Sequence, residues 1–182
     1  MYDIHTHLYG ESYDGDRDEV LLRAKKVGVE KMFVIGCTIE ESKQSIALAE
    51  KHSEIFASIG LHPHFFNKLV EEEFSISNFQ FSNKPQSFNE EIKKLIEELR
   101  NVAKSSNKVI AIGECGLDYF GYQSIVVSEE QKALQKKGFL AQIELAQELH
   151  LSLIIHCRPS IGTMDAYEDM FDILNNHASL IT

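Results

Sequence analysis

With 182 residues, 43% of them hydrophobic and 25% charged, the chain is long enough to bury one core and too ordinary in composition to be disordered or fibrous. Its formal net charge of −10 argues against a broad basic surface for gripping nucleic acid, although bound divalent ions would restore positive charge locally in a cleft. No apolar run reaches membrane-spanning length and Met1 leads almost at once into a strand-like run, so neither a membrane segment nor a secretory signal is expected; the three cysteines, Cys37, Cys115 and Cys157, lack CxxC spacing and read as reduced thiols of a cytoplasmic protein.

Apolar, strand-like runs occur at Tyr2–His5, Lys31–Gly36, Ile55–Gly60, Lys108–Gly113 and Leu151–His156. Between them lie segments of helical period. Asp16–Val27 sets Val20, Leu21, Ala24 and Val27 on one stripe, and Glu40–His52 does so with Ile46, Ala47 and Ala49. Glu90–Ala103 carries Ile92, Leu95, Ile96, Leu99 and Val102; Ser128–His150 carries Leu134, Phe139, Ile143, Ala146 and Leu149; Met164–Leu174 carries Tyr167, Met170, Phe171 and Leu174. These are i, i+3, i+4 patterns. Near-continuous apolar strands alternating with helices predict a parallel α/β sheet covered by helices. Val70–Ser87 breaks the rhythm: it is polar, with Phe74, Phe79 and Phe81 embedded. It reads as a rim loop, either solvated or serving as a lid or substrate platform.

The chemistry gathers at strand ends. His5-Thr6-His7 closes the first run, and residues i and i+2 of a strand face the same way, so both imidazoles can reach one metal ion. HxH alone occurs by chance. Here it has company: Gly60-Leu61-His62-Pro63-His64, Gly113-Glu114-Cys115-Gly116-Leu117-Asp118 and His156-Cys157-Arg158-Pro159 each follow or close another run. In a parallel α/β barrel the active-site residues sit at the carboxyl ends of strands. Histidines with a carboxylate suit Zn²⁺, Mn²⁺ or a related divalent ion, and a glutamate with two oxygens can bridge two of them. That is the skeleton of a two-metal hydrolase.

The same stretches resemble the TatD-type metal-dependent hydrolases of the amidohydrolase superfamily. The resemblance runs through Asp3-Ile4-His5-Thr6-His7-Leu8, Tyr13-Asp14-Gly15-Asp16-Arg17, Gly28-Val29, Gly60-Leu61-His62-Pro63-His64, Ala111 to Tyr119, Gln135, Phe139, Gln142, Leu145-Ala146 and Ile154 to Arg158. It implies a TIM-type (β/α) barrel and a phosphodiester hydrolase, with DNA as the associated substrate and two divalent metal ions (Zn, Mn or Mg) as cofactors. It matches His5 and His7 to ligands of one metal, Glu114 to the bridging, catalytic carboxylate and His156 to a ligand of the second metal. His62 and Arg158 match rim positions that hold a phosphate, Arg158 having a salt bridge as its plainer role. Asp118 reads as a group that hydrogen-bonds backbone or orients a ligand rather than binding metal. His64 reads as an exposed loop residue, and Cys115 and Cys157 as inert buried thiols.

In this family a sixth strand brings a further metal-binding histidine, and the eighth brings an aspartate in a Thr-Asp motif. This chain ends at Ala178-Ser179-Leu180-Ile181-Thr182, where that sixth strand is expected. Asp165, Asp169 and Asp172 lie on a helical segment and offer no substitute. The expectation is therefore one incomplete barrel domain over residues 1–182, with about five of eight strand–helix units. Its activity is expected to need the missing C-terminal residues, and no obligate protein partner is evident unless a second chain completes the barrel. Two alternatives to a DNA-end exonuclease stand beside it: hydrolysis of a small-molecule ester or amide, and an inactive metal-binding remnant.

Overall fold

The computed structural model describes residues 1–76, 88–121 and 126–177. In chain order these form β1 (Tyr2–Thr6), α1 (Arg17–Lys26), β2 (Lys31–Ile35), α2 (Ile39–Lys51), β3 (Ile55–Ile59), α3 (Pro63–Ile76), α4 (Phe88–Lys104), β4 (Val109–Asp118), α5 (Glu129–Leu149), β5 (Ser152–Arg158) and α6 (Asp165–Asn176). The strands make one sheet in the order β1-β2-β3-β4-β5, and every pairing is parallel. Each crossover steps to the next position in the same direction. Right-handed crossovers of that kind put the connecting helices on one face, and the sheet curls into a half-barrel of TIM type. A doubly wound sheet would instead reverse direction at a switch point.

Burial follows from that shape. Met32, Val34 and Ile35 of β2, Ile55, Ala57 and Ile59 of β3, and Val109, Ala111 and Ile112 of β4 are buried. The edges differ: Tyr2 and Ile4 of β1 are 57% and 63% exposed, and Ile155 of β5 is 40% exposed. On the helix side, α4 buries Ile92, Ile96, Leu99 and Val102, each worth about 1.5–3 kcal/mol when removed from water. The start of α5 is held by a capping box between Ser128 and Gln131, which satisfies amides that the first turn would leave unpaired. Gly138 of α5 lies against the Phe66 ring of α3; a Cβ there would fall inside the ring.

Two expectations need correction. Val70–Ser87 is not a loop throughout: residues up to Ile76 continue α3, and 77–87 lie outside the described residues. The helix begins at Pro63, whose fixed φ and missing N–H suit a first helical position. The fourth strand does not stop at Gly113 but runs on to Asp118, with an irregularity against β5 between Ile112 and Cys115. Gly113 and Gly116 have φ of 150° and 143°, a region open to glycine. A side chain on either would strike the β5 backbone, at the carbonyls of Ile154 and His156. The two glycines let β4 lie close to β5 while it passes the site.

Candidate metal centre

β1 delivers His5 and His7 to one place. His7 donates Nδ1–H to the Ile35 carbonyl at 3.0 Å, which fixes its tautomer and leaves Nε2 free as a ligand. That Nε2 lies 3.3 Å from the Nε2 of His5. Glu114 places Oε2 3.5 Å from His5 Nε2. Tetrahedral ligands at about 2.0–2.1 Å from a zinc-like ion stand roughly 3.3 Å apart, so this donor set has the spacing of a cation site. The loop after β1 is held by Arg17, whose guanidinium donates to the carbonyls of Leu8 at 2.6 Å and of Tyr9 and Gly10 at 3.2 Å.

The other oxygen of Glu114 faces the opposite way. Its Oε1 lies 3.0 Å from Nδ1 of His156, and Nε2 of His156 lies 2.9 Å from Oδ2 of Asp118. Asp118 is almost wholly enclosed, with its side chain 1% exposed, and its Oδ2 also meets His64 Nε2 at 3.1 Å. Ligand atoms of His62, Asp118 and His156 lie within 4.8 Å of one another, as do those of His5, His7 and Glu114. Glu114 thus stands between two groups of donors. The His62 ring packs edge-on to those of His64 and His156, at centroid distances of 4.8 and 4.4 Å.

Charge is finely matched here. Burial alone would lower the pKa of His156, but its hydrogen bonds to Asp118 and Glu114 prevail and carry it up to about 9. Burial raises Asp118 and Glu114, but chiefly through His156 both end below the usual carboxylate range. An imidazolium between two carboxylates balances the enclosed group. His62 goes the other way: burial and the neighbouring His156 lower it to about 4, so it is neutral. Its Nδ1 accepts the His64 amide at 3.2 Å, which leaves Nε2–H as a donor. Cys37, just past β2, lies with Sγ 3.8 Å from Glu114 Oε2; burial, then Glu114, pushes its thiol up to about 12.

The four residues His5, His7, Glu114 and His156 are therefore brought together, and His62 lies beside them. Arg158, in register with Asp118, lays its guanidinium 3.6 Å from the centre of the Phe120 ring. His64 is not on a loop: it sits in the first turn of α3 and pairs with Asp118. Asp118 does orient His156, and it also faces the donors directly. Cys115 is buried, with its Sγ against the Ile154 carbonyl. A cleft of about 320 Å³ opens onto the centre, lined by His7, Cys37, Glu41, His62, His64 and Glu114 among others.

Two residues that motif reading left without a role hold this geometry from behind. Gln142 of α5 accepts the Leu61 N–H at 2.7 Å and donates to the Leu61 carbonyl at 3.0 Å. Gln135 does the same for Asp118, both contacts at 2.8 Å. Both amides are fully buried, and each clamps the backbone next to or at a site residue.

A match to the family described as TatD-related DNases spans residues 2–180. The chain belongs to the TatD-related DNase family. Among its relatives, the Bacillus subtilis protein described as an uncharacterized metal-dependent hydrolase, YabD, is 34% identical over 179 residues, covering 98% of this chain and 56% of that protein. The 3'-5' ssDNA/RNA exonuclease TatD of Shigella flexneri is 32% identical over 174 residues, covering 96% of this chain and 54% of that one. The TatD homologue YJJV of Escherichia coli K12 superposes with a TM-score of 0.69 at 28% identity, over 97% of this chain and 56% of that structure. This TatD-family chain spans about half the length of the curated relatives it matches. Among its described residues no helix is long and apolar enough to cross a membrane.

Proposed function

We propose that the protein carrying this half-barrel is a divalent-metal-dependent phosphodiesterase that removes nucleotides from the ends of single-stranded DNA or RNA. The observation that carries the reading is Glu114, whose two oxygens face separate donor groups, His5 and His7 on one side and His156 with Asp118 on the other. Such a set would hold divalent ions, Zn, Mn or Mg, two of them if Glu114 offered one oxygen to each side. Bound there, the ions would polarise the phosphate and make water a competent nucleophile near neutral pH.

The chain's own residues do the rest. Glu114 bridges the two donor groups, and the Ile35 carbonyl keeps the His7 ring aimed. Asp118 aims His156 in the same way. His62, neutral and with Nε2–H free to donate, is placed to hold a phosphate oxygen as negative charge builds on it. Arg158, stacked on Phe120 at the end of β5, is the second candidate for the phosphate. Relatives described as 3'-5' ssDNA/RNA exonucleases support the nucleic-acid substrate. The free thiols fit a cytoplasmic setting.

The test is a panel. The metal-loaded protein is offered end-labelled single-stranded DNA and RNA beside carboxylic esters and amides. Stepwise shortening of the oligonucleotides is expected. Turnover confined to esters or amides would shift the reading to a small-molecule hydrolase.

A further inference from the structure

A second, smaller groove lies beside the cleft of the metal centre. It has a volume of about 220 Å³, and its lining includes His64, Asn67, Lys68, Phe120 and Gln131. His64 and Lys68 also line the first cleft, so the two hollows meet along one ridge of α3. The residues are four apart in the sequence, which places them one above the other on a helix face. Drug-sized ligands occupy pockets of about 300–1,000 Å³; this groove is smaller and open. It suits one flat unit of a longer chain.

The chemistry of its walls is that of a nucleotide. Lys68 is exposed, and no ion pair or hydrogen bond engages its ammonium among the described residues. On a chain of net charge −10, a free lysine at the joint of two clefts is placed to meet an anion. Phe120 is half-buried. Arg158 lies over its ring at 3.6 Å, and a supported aromatic ring is the platform on which bases of single strands stack. Asn67 is anchored by Gln135 Nε2 at 2.8 Å, the same amide that clamps Asp118. The groove wall and the metal centre are therefore built on common supports.

We infer that this groove is a second nucleotide subsite, in which Lys68 pairs with the phosphate next to the one at the metal centre and Phe120 stacks the adjoining base. The inference rests on the phosphodiesterase reading and adds to it a direction for the strand. Substrate runs from the His/carboxylate cleft, over the ridge of α3, towards Phe120. It also makes the enzyme sensitive to substrate length, because a dinucleotide cannot fill both hollows as well as a longer strand does.

The test uses the whole protein that carries this half-barrel, loaded with Mn²⁺, and two labelled oligothymidylates, a dinucleotide and a hexanucleotide. The wild type should favour the hexanucleotide in kcat/KM. In Lys68→Ala that preference should fall about tenfold, mainly through KM. The slope of log affinity against log salt should shrink by about 0.7, the value of one phosphate contact on a single strand. Lys68→Arg should restore both. Phe120→Ala should lower hexanucleotide affinity about tenfold with the salt slope kept, its fold being checked by thermal melting. A Lys68→Ala variant with the wild-type length preference and salt slope would overturn the subsite and leave the phosphodiesterase reading standing. A wild type that cleaves no oligonucleotide would overturn both.

Discussion

The open and the enclosed halves of the metal centre handle charge differently. His5 stands on an exposed edge strand and His7 just past its end; the His5 side chain is 42% exposed, and its Nε2 faces the carboxylate of Glu114. His156 is inside, with Glu114 on one ring nitrogen and Asp118 on the other. Two enclosed carboxylates need a positive partner, because burying them unpaired is costly. Without metal, the proton on His156 serves as that partner. On the proposed two-ion reading, loading the enclosed group would exchange a proton for a metal ion, whereas the open half would owe its charge balance to a carboxylate it shares.

The comparison breaks most completely at the shared residue. Glu114→Gln keeps the shape and removes the charge that both halves use. Metal content should fall in both, and hydrolysis should drop by roughly a thousandfold or more. Elemental analysis beside an exonuclease assay reads both effects; full metal occupancy in the variant would show that Glu114 does not bridge. Asp118→Asn sharpens the contrast, since it touches one half only. It should weaken the enclosed site by about 10–100-fold and spare the open one, in a two-step titration against a competing chelator. Equal weakening of both steps would mean a single coupled site.

The smallest expected effect is a pH profile. His156 is raised to about 9 in the folded, metal-free chain, against an unfolded value of about 6.5. Its stabilising contribution is complete below 6.5 and is lost as pH rises through 9. His62 is lowered to about 4, so the unfolded chain takes up a proton that the folded chain refuses, and stability falls as pH drops from about 6.5 towards 4. Thermal melts of chelator-treated protein should peak at about pH 6.5, where the two limbs meet. Added metal should flatten the alkaline limb, where it replaces the His156 proton. An alkaline limb unchanged by metal would place the ion away from His156.

Much of this arrangement was legible in the sequence. The five strands show as apolar runs, and the convergence of His5, His7, Glu114 and His156 follows from strand ends sharing one rim. The limits were of two kinds. Local ones arose where polar residues hide a regular element: Pro63-His64 looks like a loop yet opens α3, and Pro at a first helical position was the available signal. Gly113 and Gly116 look like a strand terminus, although they are what allows β4 to continue beside β5. The long-range ones had no local signal. Nothing near Asp118 in sequence announces that His64 will reach its carboxylate, or that Cys37 will lie against Glu114. The glutamines came closest to being readable, since Gln135 and Gln142 are polar residues set among the apolar positions of the helical stripe of α5.

Those two glutamines have a metric consequence. They are seven residues apart on one helix, about two turns and roughly 10.5 Å of rise. One grips Leu61, next to His62, and the other grips Asp118. α5 therefore acts as a gauge block: the regular pitch of an α-helix sets the span between the β3 and β4 rims. Inserting a single residue between the two amides would swing one of them by about 100° and release its rim. The spacing of the centre is in this sense dictated from the outer helical layer, by a segment that contributes no ligand.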